Sequence, residues 1–411
     1  MAERCVVIGN GAASVECVMA ARQCGFDGEI HVFSDIDLPP FNPMLITYYA
    51  SGKIDYSGLF PFGGGYDFYD QYEAVRHFGS PVVCLDTEKR VVRDAVGRET
   101  GYDKCVIASG ANPVLPAAFS GVGIEGRVLT LRTVSDALRL KALLASDRKR
   151  VLVVGASMVG VKAAEVFAEA GFDVSLADIA DSVFPMASHG NCSKLIHKIL
   201  EGKSIKLLLG GVAGSVEMDA FDHIIVCTGT SPNISFIDPG CIDTGEGVIV
   251  NERMETSAEG VYAAGDASQG KVVPGGKTQA LGLYRNARIQ GRTAGRNIAG
   301  KRAKYAGTVP HNLAHFFGHD FVGVGDVWDG DEVYEKTDEA NCRYLRLVFK
   351  DKALTGANLL NVPEISGILK YHLTKGLFMD GAPDESAGES LALNRLYEKF
   401  PDVEKTFAKM K

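Results

Sequence analysis

Residues 4–25 read RCVVIGNGAASVECVMAARQCG. The apolar run Cys5–Ile8 is long enough for a short buried strand. It runs straight into the glycine turn Gly9-Asn-Gly11-Ala12-Ala13-Ser14, and Val15, Val18 and Met19 then recur with the spacing of one helix face. Strand, glycine turn and helix together make a dinucleotide-binding arrangement. Gly9 permits the tight turn, Gly11 lets backbone N–H groups approach a pyrophosphate, and the helix N-terminus adds a dipole that favours anions. Ser14 stands in place of the usual third glycine and still allows close packing of helix on strand. The next strand, EIHVFSD, ends at Asp35, a carboxylate placed to accept from an adenosine ribose hydroxyl.

The same device recurs in VLVVGASMVGVKAAEVFAEAGFDVSLAD, residues 151–178. Gly155 and Gly160 hold the first and last fingerprint positions, Ser157 the middle one, and Met158 and Val159 lie between. The Ser157 hydroxyl is in reach of a phosphate as a donor. The strand FDVSLAD ends in Asp178, and no Arg or Lys follows closely; a carboxylate there accepts from a free 2′-hydroxyl and repels a 2′-phosphate, which predicts NADH over NADPH. Two further runs, YDKCVIASGANP (102–113) and DHIIVCTGTSPN (222–233), are each an apolar strand followed by a turn of small residues.

The bulk numbers narrow the class. The chain has 411 residues, 46% hydrophobic and 23% charged, enough for two or three globular domains. A formal charge of −8 argues against nucleic acid or an anionic membrane as partner. The N-terminus does not read as a signal peptide, and no apolar run is long enough to span a bilayer. The nine cysteines form no CxxC or CxxxxC pair. That pattern fits free thiols in a reducing cytoplasm and speaks against a cysteine-held iron–sulphur cluster or zinc site.

With TSAEGVYAAGDA (256–267) and ARIQGRTAGRNIAG (287–300) added, the chain resembles the flavoproteins with two dinucleotide-binding domains, the pyridine nucleotide–disulfide oxidoreductase superfamily. It is most similar to the branch of NADH oxidases, nitrite reductases and rubredoxin reductases. The resemblance implies an α/β fold of two nested Rossmann-like domains plus a C-terminal α+β interface domain. An FAD domain would comprise 1–112 and 248–304, an NADH domain 113–247, and the interface domain 305–411, with strands at Phe321–Val324 and Tyr344–Phe349. FAD would then be held by Gly9, Gly11, Ala12, Ala13, Ser14, Asp35, Ser109, Gly110, Gly265 and Asp266, with Asp266 on the ribityl chain. NADH would be held by Gly155, Ser157, Met158, Val159, Gly160, Asp178, Thr228 and Gly229.

The resemblance also shows what is missing. Relatives that reduce disulfides, peroxide or coenzyme A-disulfide carry one or two cysteines beside the flavin, and Met44 of FNPMLITYY (41–49) occupies that position. A thioether cannot form a thiolate or a mixed disulfide. No catalytic side chain is therefore assigned, and Met44 is expected to be core beside the flavin. Two other departures are Tyr48, where many ferredoxin and rubredoxin reductases have Lys, and Lys162, where the family often has Glu near the nicotinamide. Two readings of Lys162 stay open: a solvated helix residue, the commoner case, or one that reshapes the nicotinamide site.

The implied activity is FAD-dependent NADH:acceptor oxidoreduction with a redox protein as acceptor, such as ferredoxin, rubredoxin or a metal-containing enzyme. Two alternatives stay open: a stand-alone NADH oxidase or small-molecule reductase, and a non-catalytic FAD- and NADH-binding subunit. Homodimer and subunit of a larger complex are both compatible with the sequence. His311, His315 and His319 are read as packing residues rather than metal ligands, Phe316, Phe317 and Trp328 as third-domain core, and Phe62-Gly-Gly-Gly-Tyr66 as a loop. Arg139, Lys141, Arg148, Lys149 and Arg150 form a basic segment that is either solvated or a docking face. The tail from Asp380 carries no readable role.

Overall fold

The computed structural model of the chain describes residues 2–119, 126–147, 149–211 and 217–375. The tail from Asp380 and Arg148 lie outside them. Eight helices are described: α1 (Ala12–Gln23), α2 (Ile46–Ala50), α3 (Asp67–Gln71), α4 (Val134–Leu144), α5 (Met158–Glu169), α6 (Gly190–Gly202), α7 (Tyr284–Ile298) and α8 (Ser366–Lys375).

The apolar strand Arg4–Ile8 is the middle of a five-stranded parallel sheet. Its neighbours are Lys104–Ile107 and then Val261–Ala263 on one side, and Glu29–Phe33 and then Ala74–His77 on the other. Arg150–Val154 is likewise central in a second parallel sheet, between Asp173–Asp178 and His223–Val226, with Lys206–Leu209 and Val128–Thr130 at the edges. Strands buried on both faces read as unbroken apolar runs, which is why CVVI and VLVV stood out. The fold is therefore α/β with two Rossmann-type sheets. The chain passes between them through the antiparallel pair Ala111–Pro113 and Thr230–Pro232. Beyond that crossing, Phe236, Ile237 and Ile242 pack into the core of the first sheet.

The third sheet is antiparallel, in the order His311–Phe316, His319–Gly325, Ala353–Leu360, Arg343–Lys350, Glu332–Asp338. Both strands expected there are present, and 351–352 turn the hairpin between the two longest ones. This sheet sits hard against the second body. A Cβ on Gly323 would lie 2.3 Å from the Ala187 carbonyl oxygen. Asn358, fully buried, accepts from the His189 N–H at 2.9 Å and donates to the carbonyls of Val322 and Ala187. Phe316 and Phe321 join a cluster with Phe184 of the second body. Trp328, expected in this core, is instead exposed in the connection between the strands His319–Gly325 and Glu332–Asp338, where its backbone N–H donates to Asp326.

Helices α1 and α7 pack side by side on the first sheet. The contact is made by glycine: a Cβ on Gly291 would meet the Ala13 carbonyl oxygen at 2.1 Å, and one on Gly295 the Cys17 carbonyl oxygen at 2.2 Å. Any larger residue would force the helices apart. Glu16, buried under this seam, accepts from Arg288 at 2.7 Å and from Arg292 at 2.8 Å. A carboxylate in that position is tolerable because it is doubly paired.

Candidate dinucleotide sites

The first turn sits at the C-terminal ends of the parallel strands, where open α/β sheets place ligands. Gly9, at φ +114°, donates to the Phe33 carbonyl at 2.8 Å, and a Cβ there would fall 2.1 Å from the Ala108 carbonyl oxygen. No residue but glycine fits. Gly11 is the N-cap of α1 and no side chain caps the helix. A Cβ on Gly11 would meet nothing within 4 Å, so the first amides of α1 are approachable from the front. Ala12, Ala13 and Ser14 form the opening turn of α1. Ser14 is fully buried and its hydroxyl has no hydrogen-bond partner among the described residues. Asp35 lies exposed, two residues past the strand, which ends at Phe33 rather than at the acid itself.

Three other segments converge on this turn. Ser109 donates to the Asn233 carbonyl at 2.6 Å, and Gly110 holds φ +71°. Gly265, at φ +77°, fits so closely that a Cβ would lie 3.1 Å from the Ala13 methyl and 3.3 Å from that of Ala287. Its N–H donates to Gln290 of α7, which also accepts from Ser268. Asp266, next in line, accepts from the Arg132 guanidinium at 2.8 Å. Arg132 is a site residue that the sequence reading missed. The capping box of α4 positions it: Thr133 accepts from the Asp136 N–H, and Asp136 accepts from the N–H groups of Thr133 and Arg132. The pattern Arg-Thr-x-x-Asp at a strand-to-helix turn was the available signal.

Around the second turn, Gly155, Ser157, Met158, Asp178, Thr228 and Gly229 line one cavity of about 1170 Å³, closed on its far side by Phe119, Leu208 and Phe221. Val159 and Gly160 do not line it. Val159 is exposed, and Gly160 is held for packing, since a Cβ would sit 1.9 Å from the Gly155 carbonyl oxygen. Ser157 does not keep its hydroxyl free for a phosphate: it donates to the Cys227 carbonyl at 3.0 Å and accepts from the Gly160 N–H at 3.2 Å, capping α5. The Asp178 carboxylate accepts from the N–H groups of Ala156 at 2.6 Å and Ala180 at 2.9 Å. Thr228 donates to the Val114 carbonyl. Cys227 also lines the cavity, but burial pushes its thiol up to about 12, so it is not a thiolate.

Met44 is 65% exposed in the short turn Pro43–Leu45, where its N–H bonds the Asn42 side chain, so it is not core. The chain turns into α2 there, and it is Ile46, Tyr49 and Ala50 that pack inward. Cys192, a possible substitute thiol, is buried and pushed up to about 12 by that burial.

Lys162 is not a solvated residue. Its side chain is 14% exposed, pairs with buried Glu165, donates to the His315 carbonyl at 3.1 Å and lies 5.4 Å from the ring centre of Tyr48. Glu165 accepts from the Phe317 N–H at 2.9 Å. This pair ties α5 to the third sheet and to α2. The histidines are dispersed along two strands: His315 pairs with Asp320, His319 with Asn361 and His311 with Lys370. Burial, with help from Lys370 and Arg285, pushes His311 down to about 4. Among the described residues no group of three or more His, Cys, Asp or Glu is placed to hold a metal. No described helix is long and apolar enough to cross a membrane.

The fold and the two turns define a flavoprotein with two dinucleotide sites. Residues 3–291 match the family described as pyridine nucleotide-disulphide oxidoreductase. The chain belongs to that family, and it is an FAD- and NADH-dependent oxidoreductase. It is 29% identical over 370 residues to the NADH-dependent phenylglyoxylate dehydrogenase subunit epsilon of Aromatoleum evansii, covering 85% of this chain and 86% of that one. It is 25% identical over 386 residues to the rubredoxin-NAD(+) reductase of Ectopseudomonas oleovorans, covering 89% and 97%. Among solved structures, a covalent putidaredoxin reductase–putidaredoxin complex matches with a TM-score of 0.86 at 20% identity over 99% of both chains.

Proposed function

We propose that this protein is the NADH-oxidising flavin component of an electron-transfer system, and that its electrons leave to a metal-containing redox protein rather than to a thiol or disulfide. The observation that carries this reading is Met44. The residue stands where relatives with thiol chemistry keep a cysteine, and the thiols of Cys192 and Cys227 are buried and pushed up to about 12. The likeness to a subunit of a larger NADH-dependent dehydrogenase and to a rubredoxin reductase supports the same choice.

In this reading 1–112 and 248–304 carry FAD, 113–247 carries NADH except that its end, from about Phe236, packs with the FAD body, and the segment from 305 is the interface domain. The uncapped amides of α1 at Gly11, Ala12 and Ala13 receive the FAD pyrophosphate, with Gly9, Ser14, Ser109 and Gly110 shaping the floor. Asp35 accepts from the adenosine ribose, and Asp266 from the ribityl hydroxyls. Arg132 donates to Asp266 at 2.8 Å, fixing its orientation, and adds positive charge close to the phosphates. Gly155, Met158, Val159, Gly160, Thr228 and Gly229 form the NADH turn, and Asp178 accepts from the free ribose hydroxyl. Bound in this site, FAD would supply a hydride acceptor for NADH and one-electron chemistry toward the acceptor. The protein contributes orientation and exclusion of water. Nine free cysteines suit a reducing compartment such as the cytoplasm.

The test is anaerobic mixing of the purified yellow protein with NADH, followed by admission of air. Fast bleaching with slow reoxidation is expected. Fast reoxidation would favour oxygen as the acceptor, and no bleaching would sink the reading.

A further inference from the structure

Helix α7 has two faces with different work. Its inner face holds the Asp266 turn through Gln290 and meets α1 through Gly291 and Gly295. Its outer face carries Arg285, Arg288, Arg292 and Arg296, spaced three, four and four residues apart and so aligned in one row. The helix sequence, YRNARIQGRTAGRNI, contains no Asp or Glu. The row runs for roughly 16 Å at 1.5 Å per residue. Buried Glu16 offsets one of the four charges, leaving the row basic in a chain whose net charge is −8. At its first end Arg285 lies near Lys370 of α8 and His311 of the third sheet, close enough to disfavour their protonated forms, so the row's charge rests on the four arginines.

The face is not purely charged. Ile289 is 39% exposed between Arg285, Arg288 and Arg292, and the Arg288 guanidinium lies 6.0 Å from the ring centre of Phe62. An apolar centre ringed by arginines fits a protein surface better than a phosphate backbone or a lipid headgroup layer, because arginine and aromatic contacts dominate protein interfaces. The other basic segment is already engaged within the chain. Arg139 donates to the Val128 carbonyl, Lys141 sits over Tyr49, Lys149 over Phe172, and Arg150 pairs with Asp222.

We propose that the arginine row of α7 is the docking surface for the electron acceptor, and that this acceptor presents an acidic face to it. The proposal rests on the acceptor being a redox protein, as argued above. Because the same helix supports the Asp266 turn from behind, a partner seated on it would lie against the element that backs the flavin site. Complementary charge would mainly set the rate of encounter, and salt would weaken it.

The probe is an acidic [2Fe–2S] ferredoxin, with menadione as an uncharged acceptor, both reduced by the holoenzyme with NADH. The variant is R285E/R296E, with R285Q/R296Q as a milder companion. Neither residue is in a dinucleotide site. The wild type should show a ferredoxin KM that rises with salt. R285E/R296E should raise that KM at least tenfold at low salt, R285Q/R296Q less, and the gap should close near 0.5 M salt, where screening acts within a few ångströms (roughly 3–5 Å). NADH:menadione turnover and flavin content should be unchanged. An unchanged ferredoxin KM, or no ferredoxin reduction by a wild type that reduces menadione, would overturn the docking surface and leave the NADH:acceptor reading standing. Failure of the wild type to reduce menadione would remove both. Binding of the wild type to phosphatidylserine vesicles that R285E/R296E abolishes, with ferredoxin kinetics unaltered, would reassign the row to a membrane.

Discussion

The two glycine turns of this chain carry the same motif and solve the same packing problem differently. In the second, the last position is Gly160, which lies so close to Gly155 that a Cβ would be 1.9 Å from its carbonyl, and Ser157 caps the helix from within. In the first, the last position is Ser14, no side chain caps α1, and the close approach is moved outward to Gly291 and Gly295 on the neighbouring helix. One turn is finished by its own residues. The other is finished by a helix that arrives about 280 residues later, and it leaves its amides open (a difference of this kind is invisible to a spacing rule).

The contrast predicts unequal responses to exchanging the two residues. Gly160→Ser should abolish flavin bleaching by NADH while leaving bound FAD near wild type by absorbance, since the new side chain collides with backbone. Retained bleaching would break the comparison. Asp178→Ala should lower the preference for NADH over NADPH by roughly tenfold, in line with about 1.5–3 kcal/mol for a hydrogen bond to a charged group. Steady-state kinetics with both nucleotides would read it, and an unaltered ratio would show that the acid serves only the Ala156 and Ala180 amides. Ser157→Ala should cost about 1 kcal/mol of unfolding free energy, the usual loss for an N-cap, measured by urea titration. Ser14→Gly should be the mildest. Glycine in a helix costs about 1 kcal/mol, but removal of a buried hydroxyl without a partner returns a similar amount. A large loss of stability or of FAD would mean that Ser14 does more than fill space.

What could be read from sequence alone follows from range. The apolar runs CVVI and VLVV, the obligate glycines Gly9 and Gly155, and Asp178 at the end of its strand are local features, each set by its own backbone, and each is legible; the other acid, Asp35, lies two residues beyond its strand. The errors lie where distant segments meet. Met44 was assigned to the core because the relatives' cysteine lies inside, yet here the turn at Asn42 leaves it exposed. Lys162 is ambiguous in sequence, solvated or reshaping the nicotinamide site, because what buries it are Tyr48 and the third-sheet hairpin around His315, far along the chain. Ser157 was offered to a phosphate because its acceptor, the Cys227 carbonyl, lies seventy residues away. Arg132 went unnoticed because Asp266, its partner, is 134 residues distant.

The glycine seam between α1 and α7 also fixes an order of events in the cell. The turn at Gly9 leaves the ribosome well before the helix that backs it, which ends at Ile298. At roughly 5–20 residues per second, the intervening stretch takes on the order of 15–60 s to be made. During that interval the second sheet can close on its own neighbours, whereas α1 waits with an uncovered flank. A chain truncated anywhere before Ile298 is therefore expected to form the nucleotide turn but to fail to retain its flavin, which absorbance of the purified product would read.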